Sequence, residues 1–186
     1  MENNTCLGNR ILILGPYGAG KTTLGRKLSQ ETGIPLYEMD SLFWQKDWKP
    51  ADREEFLAKV REITRRECWI IEGHFTKIKD LVLPGAESIV FLDLSLPKAL
   101  TRLFKRTIRR VLTRETLAHG NRESAVRAFL TTESPLWRLL VDYSKRRKEF
   151  LTLAMDSTLQ DLGKGAILFK TDRHKTDRPG RSWPNT

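Results

Sequence analysis

Short apolar runs alternate with amphipathic stretches along most of the chain. Four runs of strand length are almost continuously apolar, and a fifth, shorter run ends at Asp40. The four longer runs are residues 9–14, 68–73, 88–94 and 165–170. Continuous apolar strands are typical of a parallel sheet that is buried on both faces. The pattern therefore predicts about five parallel strands with helices on both faces, a three-layer α/β fold.

The stretches between these runs repeat apolar residues at helical spacing. One begins at Asp52, which together with Glu55 is typical of a capping box. A basic helix follows Pro97 and runs to about Thr113, and Ser134 with the following proline begins another. The residues predicted to face inward are Leu24 and Leu28, then Phe56, Val60 and Ile63, then Leu136, Leu139, Leu140, Tyr143, Phe150 and Ala154.

The length of 186 residues and a hydrophobic content of 39% suit one globular domain. We expect that domain at 1–175, with the polar segment at about 113–123 as a lid and a basic tail, typical of disorder, at 176–186. The apolar runs are too short to cross a bilayer, and the first residues do not resemble a secretory signal. Cys6 and Cys68 are too few for a disulfide framework. These features predict a cytoplasmic protein with no membrane partner.

The net charge of +10 favours partners that carry negative charge. Nucleotides, phosphorylated metabolites and nucleic acids all satisfy that condition. A solvated basic surface without a specific partner is the alternative interpretation.

The glycine-rich turn after the first apolar run carries the most specific motif. Residues 15–22 read GPYGAGKT, which satisfies G-x-x-x-x-G-K-[ST] between a predicted strand and a predicted helix. Backbone N–H groups of such a turn surround phosphate oxygens, and Lys21 reaches the β- and γ-phosphates. The Thr22 hydroxyl can ligate Mg²⁺, and the helix N-terminus attracts the anion. The predicted nucleotide-binding residues are Gly15, Pro16, Tyr17, Gly18, Ala19, Gly20, Lys21, Thr22 and Thr23.

Carboxylates follow or end the predicted strands on the side where ligands bind. Glu72 and Asp93 are alternative candidates for positioning Mg²⁺, and each residue type also serves as an ordinary turn or cap residue. Glu38 and Asp40 end the second strand and, two residues apart on an extended chain, are predicted to share one face.

The basic helix carries Arg102 and Arg106 at a spacing that places both on one face. Phosphoryl transfer requires cations near the migrating group, so we predict this pair to be catalytic, with a solvated helix face as the alternative. Arg122, in the lid, is a further candidate of the same kind. Trp44 and Trp48 either pack a helix against the sheet or form a wall of the acceptor pocket.

Together these residues resemble the adenylate-kinase-like branch of P-loop kinases, and within it the DNA topology modulation proteins. The resemblance runs over about residues 9–170. It lies in the stretches GPYGAGKTTL, GIPLYEMDSLFWQKDWKP, WIIEGHF and LPGAESIVFLDL and in the arginine helix.

The resemblance implies roles for individual residues. WIIEG is similar to the Asp-Gly strand end of nucleoside monophosphate kinases, which favours Glu72 as the residue that organises Mg²⁺. Arg102 and Arg106 match the arginine pair at the base of the lid, which contacts the donor nucleotide and its terminal phosphate. YEMD is similar to a region of shikimate kinases, which implies a place near the metal for Glu38 and contact with the acceptor hydroxyl for Asp40.

One departure concerns the acceptor. Monophosphate kinases hold the acceptor's phosphate with arginines at two places that here read DSLFWQ and EGHFTK. Neither stretch contains arginine, and Lys77 lacks the fork that suits a phosphate. We therefore expect a hydroxylated metabolite as acceptor at least as much as a nucleoside monophosphate.

Two functional hypotheses remain at this point. The first is an ATP- and Mg²⁺-dependent kinase that transfers the γ-phosphoryl group to a small acceptor which the sequence does not identify. The second is a nucleotide-binding regulator associated with DNA, with weak or no kinase activity. The KRRK run at 145–148 and the basic tail favour the second, but no nucleic-acid-binding motif supports it.

Overall fold

The computed structural model describes residues 8–73, 78–125, 131, 134–155 and 165–170. Within these residues, five strands form one sheet in the order β2-β3-β1-β4-β5. The strands are β1 (Arg10–Leu14), β2 (Leu36–Glu38), β3 (Trp69–Glu72), β4 (Ser88–Asp93) and β5 (Gly165–Lys170). Every neighbouring pair is parallel. The predicted parallel α/β sheet is confirmed.

Helices connect the strands. The described helices are α1 (Lys21–Thr32), α2 (Met39–Phe43), α3 (Arg53–Thr64), α4 (Lys79–Val82), α5 (Leu96–Thr113) and α6 (Pro135–Met155). Short 3₁₀ turns lie at Lys46–Trp48, Leu83–Gly85 and Ala118–Gly120. No helix of this described part is long and apolar enough to cross a membrane.

Two hydrophobic clusters cover the two faces of the sheet. Alternate residues of β1 enter opposite clusters, Leu12 and Leu14 one and Ile11 and Ile13 the other. Side chains of α3 and α4 lie in the first cluster, and side chains of α1 and α5 lie in the second. This is the arrangement that continuous apolar strands predict. The inward residues predicted for α3 are buried, namely Phe56, Val60 and Ile63.

Two details of the helices differ from prediction. Leu140 is 50% exposed, whereas its neighbour Leu139 is buried, because adjacent helix positions point about 100° apart and α6 buries only a narrow stripe. The capping box of α3 is half formed. Asp52 accepts hydrogen bonds from the N–H groups of Glu54 and Glu55, but the Glu55 carboxylate binds Lys59 instead.

The second strand is shorter than predicted. It ends at Glu38, and Asp40 lies in the first turn of α2. The prediction that Glu38 and Asp40 share one face of a strand is therefore wrong. The Ser41 hydroxyl donates to the Glu38 carbonyl at 2.7 Å, which fixes the turn where the strand becomes helix.

Candidate active site

The phosphate-binding loop connects β1 to α1. Gly18 and Gly20 have φ values of +78° and +95°, and Gly20 is the N-cap of α1. A Cβ atom on Gly18 would come within 2.9 Å of the Ala99 carbonyl oxygen in α5. Only glycine therefore fits position 18 without displacing that helix.

Most of the residues predicted to bind nucleotide line one cleft of about 1280 Å³. The loop residues 17–23 line it, as do Arg102 and Arg106. Gly15 and Pro16 line a smaller pocket beside it, together with Tyr17 and Lys21. The structure thus brings the loop and the predicted arginine pair to a single place.

Lys21 lies folded over the loop. Its Nζ donates to the carbonyl oxygens of Gly15 and Pro16 at 3.0 and 3.1 Å. Burial lowers the pKa of the Lys21 ammonium, and the charges of Glu72 and Asp40 oppose that effect. The lysine charge therefore lies between the loop and two carboxylates.

Glu72 contacts the loop directly. The Thr22 hydroxyl donates to Glu72 Oε1 at 2.9 Å, and Glu72 is only 4% exposed. Burial raises the pKa of Glu72, while Lys21 and the Thr22 hydrogen bond lower it in part. A hydroxyl beside a carboxylate is an oxygen donor set that fits Mg²⁺, which takes its remaining ligands from water and phosphates.

Asp93, the other candidate for the metal, has a different partner. Arg147 of α6 donates to both of its carboxylate oxygens, at 2.8 and 2.7 Å. Such a two-point pair occupies the carboxylate. The geometry therefore favours Glu72 over Asp93 for a role at the loop.

Asp40 reaches the site because the chain passes close to the end of β3. Gly73 has φ +123°, and a Cβ atom there would lie 3.1 Å from the Met39 Cβ and 3.4 Å from the Asp40 backbone nitrogen. This close approach brings Asp40 into the cleft, where its charge acts on both Lys21 and Glu72. Glycine suits position 73 because φ is positive there and the Met39 side chain lies close.

Glu38 lies beside Glu72 in the register of β2 and β3. Its carboxylate is bound by Arg26 of α1, through hydrogen bonds of 3.1 and 2.8 Å to the same oxygen. The structure therefore places the predicted metal residue Glu38 in an ion pair at the border of the cleft.

The two predicted catalytic arginines differ in burial. Arg102 is exposed, whereas Arg106 is half-buried, and the Arg106 Nε has no hydrogen-bond partner among the described residues. Burial lowers the pKa of Arg106, and the neighbouring charge of Arg110 lowers it further. Neither Arg102 nor Arg106 forms an ion pair within the described part of the chain. Their positive charge faces the cleft and suits an anionic ligand.

The lid segment, residues 113–123, turns back on itself after α5. Thr116 and Arg122 form an antiparallel bridge, and the Leu117 N–H donates to the Asn121 carbonyl at 2.7 Å. Arg110 pairs with Glu115 at 3.6 Å and with Glu123 at 3.5 Å, which fastens the segment to α5. The Arg122 side chain is exposed and does not line the cleft.

The lid segment docks on residues 41–48. Asn121 is buried, donates to the Gln45 carbonyl at 2.8 Å and accepts from the Trp48 N–H at 3.1 Å. The Trp48 indole donates to the Arg122 carbonyl at 3.1 Å. His119 Nε2 lies 2.8 Å from the Ser41 carbonyl oxygen. We did not predict this contact, because no local pattern signals a pairing of segments so far apart.

An aromatic group forms one side of the cleft. Phe43 and Trp44 lie edge to face with ring centroids 4.9 Å apart, and Trp44 and Trp48 do so at 6.0 Å. All three rings line the cleft. The structure thus favours the interpretation that the tryptophans form a wall of the pocket.

Tyr17 extends from the loop toward α6. The Nζ of Lys21 and the Cζ of Arg146 each lie 5.9 Å from the centre of its ring. Burial raises the pKa of Tyr17 to about 12, Asp40 adds to this effect, and Arg146 and Arg138 oppose it. The phenol is therefore uncharged at neutral pH.

Several predicted features lie outside the described residues. They include Lys77, Cys6 and the tail at 176–186. The KRRK run is described, and its two arginines form ion pairs, Arg146 with Asp142 and Arg147 with Asp93. That finding weakens the case for the run as a nucleic-acid surface.

The chain is similar to shikimate kinases. A family model described as shikimate kinase matches residues 17–69. The shikimate kinase of Mycobacterium avium (strain 104) is 26% identical over 156 residues, covering 74% of this chain and 85% of that protein. The shikimate kinase of Xanthomonas euvesicatoria pv. vesicatoria (strain 85-10) is 26% identical over 152 residues, covering 72% and 80%. A solved shikimate kinase from Acinetobacter baumannii in complex with shikimate is 19% identical, covers 90% of this chain and 86% of that chain, and has a TM-score of 0.45.

These similarities support the kinase class and not the alternative function. They do not show the finer resemblance to DNA topology modulation proteins, and none of them supports a nucleic-acid partner. The matched segment contains the loop lysine and threonine and Asp40. The chain is a phosphotransferase with the adenylate-kinase-like P-loop fold, and it uses ATP and Mg²⁺.

Proposed function

We propose that this kinase transfers the γ-phosphoryl group of ATP to an alcohol hydroxyl of a small hydroxylated metabolite, with shikimate as the first candidate. The observation that carries the proposal is the position of Asp40. Asp40 lines the same cleft as the phosphate loop, and its charge acts on both Lys21 and Glu72. A carboxylate at that place can accept a hydrogen bond from a hydroxyl and orient it toward the loop.

The residues of the donor half bind and neutralise the phosphates. The loop N–H groups and Lys21 bind the β- and γ-phosphates, and Thr22 with Glu72 would hold Mg²⁺. The metal, when bound, neutralises negative charge that develops on the phosphate oxygens. Arg102 and Arg106 supply positive charge at the transferring group.

The acceptor side favours a metabolite over a nucleoside monophosphate. The stretches in which monophosphate kinases carry arginines have none in this chain. Asp40, Phe43, Trp44 and Trp48 line the cleft instead, a carboxylate beside an aromatic wall. Such a surface suits a ring or short chain that carries hydroxyl groups. The similarity to shikimate kinases supports shikimate as the first compound to test.

The lid segment would exclude water during transfer. It docks on residues 41–48 through Asn121 and Trp48, beside the aromatic wall. Water is the competing acceptor in phosphoryl transfer, so closure over the cleft protects the reaction.

The proposal is tested by acceptor-dependent turnover. We expect shikimate or another small hydroxylated metabolite to raise ADP formation from Mg²⁺-ATP well above the rate without acceptor. Lys21→Ala should lower that rate about 100-fold or more, because it removes a charge from the phosphates. Lys59→Ala is the matched control, since Lys59 lies on α3 and pairs only with Glu55 among the described contacts. A wild-type rate that no compound of a polyol and hydroxy-acid panel raises would refute the proposal.

A further inference from the structure

Large apolar side chains remain exposed on two helices. Within the described residues they are Phe104, Ile108 and Leu112 of α5 and Trp137, Leu140 and Val141 of α6. Those on α5 recur at every fourth position, and those on α6 follow at spacings of three and four, so each set forms a row along its helix. Apolar side chains grouped in this way mark an interaction surface, which singly scattered ones do not. Together the two rows form the outer face.

The outer face points away from the cleft. Ile108 lies two positions from Arg106 and two from Arg110, and both arginines line the cleft. Residues two apart on a helix point about 200° apart, so Ile108 lies on the opposite side of α5. Leu140 is related in the same way to the cleft residue Arg138 on α6. The outer face is therefore separate from the kinase site.

The two rows belong to helices that pack against each other. Leu100 and Leu103 of α5 lie in the second hydrophobic cluster with Leu136 and Leu139 of α6. Side chains of the outer face lie outside both clusters and line neither of the two cavities described above. Leu112 protrudes furthest and is 78% exposed. A face built from protruding side chains suits a broad, flat partner better than a single inserted segment.

Positive side chains border both rows. Residues 94–114 contain seven lysine and arginine residues and no acidic residue. Lys105 lies three positions before Ile108 and seven before Leu112, on the same side of α5. Lys145 and Lys148 are exposed on α6, four and seven positions after Val141. The outer face is therefore apolar with a cationic border, which is complementary to a surface that is apolar beneath a negatively charged layer.

We propose that the outer face docks on a membrane surface that contains anionic lipids. The apolar side chains enter the headgroup boundary, and the lysines at the border contact lipid phosphates. Phe104 and Trp137 are aromatic residues, a class suited to that boundary because the ring is apolar and polarisable. The contact leaves the cleft open to ATP, because the outer face points away from it. The inference is independent of which acceptor the kinase uses.

A second copy of the chain fits the outer face less well. Two copies pressed together would bring their lysine borders near each other, and each copy carries a net charge of +10. Anionic lipids supply the opposite charge. A peripheral contact needs no spanning helix, so the proposal revises only the expectation that the protein has no membrane partner.

The test measures binding of the full chain to lipid vesicles by co-sedimentation. One set of vesicles is phosphatidylcholine alone, and the other contains phosphatidylcholine with an equal amount of phosphatidylglycerol. We expect the wild type to bind the mixed vesicles at least about 10-fold more tightly, because the lysine border adds attraction to the apolar contact. Raised salt should weaken binding to the mixed vesicles.

Two double variants separate the apolar contribution from the charge. Leu112→Gln with Val141→Gln keeps the net charge and should weaken binding to the mixed vesicles about 10-fold or more. Lys105→Gln with Lys145→Gln should weaken the same binding about 10- to 30-fold.

The matched control removes two positive charges elsewhere. Lys59→Gln with Lys79→Gln changes exposed positions of α3 and α4, helices that pack in the first hydrophobic cluster on the other face of the sheet. This variant should bind the mixed vesicles like the wild type. All three double variants should unfold at the wild-type temperature, because every changed side chain is exposed.

The proposal fails if the wild type does not bind the mixed vesicles. It also fails if both lysine double variants lose affinity equally while Leu112→Gln with Val141→Gln loses none, since that pattern is the general adsorption of a basic protein. Sedimentation velocity without lipid tests the remaining occupant. A wild-type dimer that Leu112→Gln with Val141→Gln separates would assign the outer face to a second copy and overturn the membrane contact.

Discussion

The carboxylates of Glu72 and Asp93, which end the two strands on either side of β1, have different hydrogen-bond partners. Glu72 ends β3, accepts a hydrogen bond from Thr22 and lies near Lys21. Asp93 ends β4 and is held at two points by Arg147. The two residue positions are alike in sequence, but only Glu72 contacts the loop. We therefore propose that Glu72 organises the metal and that Asp93 has a structural role.

Exchange of each carboxylate for its amide separates these roles. Asp93→Asn should lower the free energy of unfolding by about 1–3 kcal/mol, because it leaves the Arg147 guanidinium without its charged partner. It should leave the Mg²⁺ concentration required for turnover unchanged. Glu72→Gln should raise that concentration. Denaturant unfolding and Mg²⁺ titration of ADP formation measure the two effects, and a reversed pattern would reassign the metal to Asp93.

The raised pKa of Glu72 predicts a pH dependence of Mg²⁺-ATP binding. Burial raises this pKa, so the carboxyl takes up its proton at a higher pH than an ordinary glutamate does. Mg²⁺ requires the ionised form, so affinity for Mg²⁺-ATP should fall as the pH is lowered through that pKa. Calorimetric titration across pH measures the fall. Glu72→Gln is the control, because it removes the titrating carboxyl while ATP itself titrates equally with both proteins. Identical pH profiles of affinity for the wild type and the variant would contradict the assignment.

The same shift has a consequence for stability. Because the pKa is higher in the folded protein than in the unfolded chain, the folded state holds the proton more tightly. The stabilisation is present below the unfolded pKa and is lost as the pH rises through the folded pKa. Unliganded Glu72→Gln should therefore unfold at a higher temperature than the wild type at neutral pH, with Thr22 still bonded to the amide oxygen. A lower midpoint would show that ionised Glu72 stabilises the fold.

At the scale of elements, the lid segment and residues 41–48 act as one unit. The Asn121 side chain forms hydrogen bonds with the backbone of Gln45 and of Trp48, and the Trp48 indole donates one to the Arg122 carbonyl. Trp48 has φ +57°, a conformation that bulky residues seldom adopt. Leu117, Ala118 and Asn121 of the docked segment also line the cleft.

Asn121→Ala should loosen this contact. We expect a loss of about 1–2 kcal/mol in the free energy of unfolding, because two half-buried backbone groups lose their partner. The rate of ATP hydrolysis without acceptor should rise relative to acceptor-dependent turnover, since water gains access to the cleft. Asn9→Ala, at an exposed position, is the matched control. An unchanged ratio of hydrolysis to transfer would indicate that the lid does not exclude water.

The predictability of each element depends on how local its determinants are. The strands and the inward face of α3 follow from apolar spacing alone, and the structure confirms them. The end of β2 does not, because the chain turns into α2 at Met39, where it packs on Gly73, a residue far away along the chain. Leu140 lies at helical spacing but outside the narrow stripe that α6 buries, and the width of that stripe depends on what packs against the helix.

At the scale of the whole molecule, part of the positive charge lies on arginine side chains that line the cleft. The net charge is +10, and Arg102, Arg106 and Arg138 line the cleft without ion pairs in the described chain. Such a field attracts anionic substrates and is screened by salt. We expect kcat/KM for Mg²⁺-ATP to fall as salt rises from about 0.05 to about 0.5 M, with kcat less affected. A kcat/KM independent of salt would show that the cleft charge does not act on the substrate.

The site as a whole was only partly predictable. The loop, Glu72 and the arginine pair stand in short motifs, so sequence alone could indicate them. Asn121 and Arg147 gain their roles through contacts with residues far away along the chain, and their own neighbourhoods carry no distinguishing pattern. The donor half of the cleft is therefore easier to predict than the acceptor half.

The central claim is that phosphate passes from ATP to a hydroxyl of a small metabolite. The most direct measurement is mass spectrometry of the products after incubation with Mg²⁺-ATP and shikimate or gluconate. The account predicts a monophosphorylated acceptor in amounts equal to the ADP formed, absent with Lys21→Ala and retained with Lys59→Ala. ADP accompanied only by inorganic phosphate, or no ADP with either acid, would contradict it.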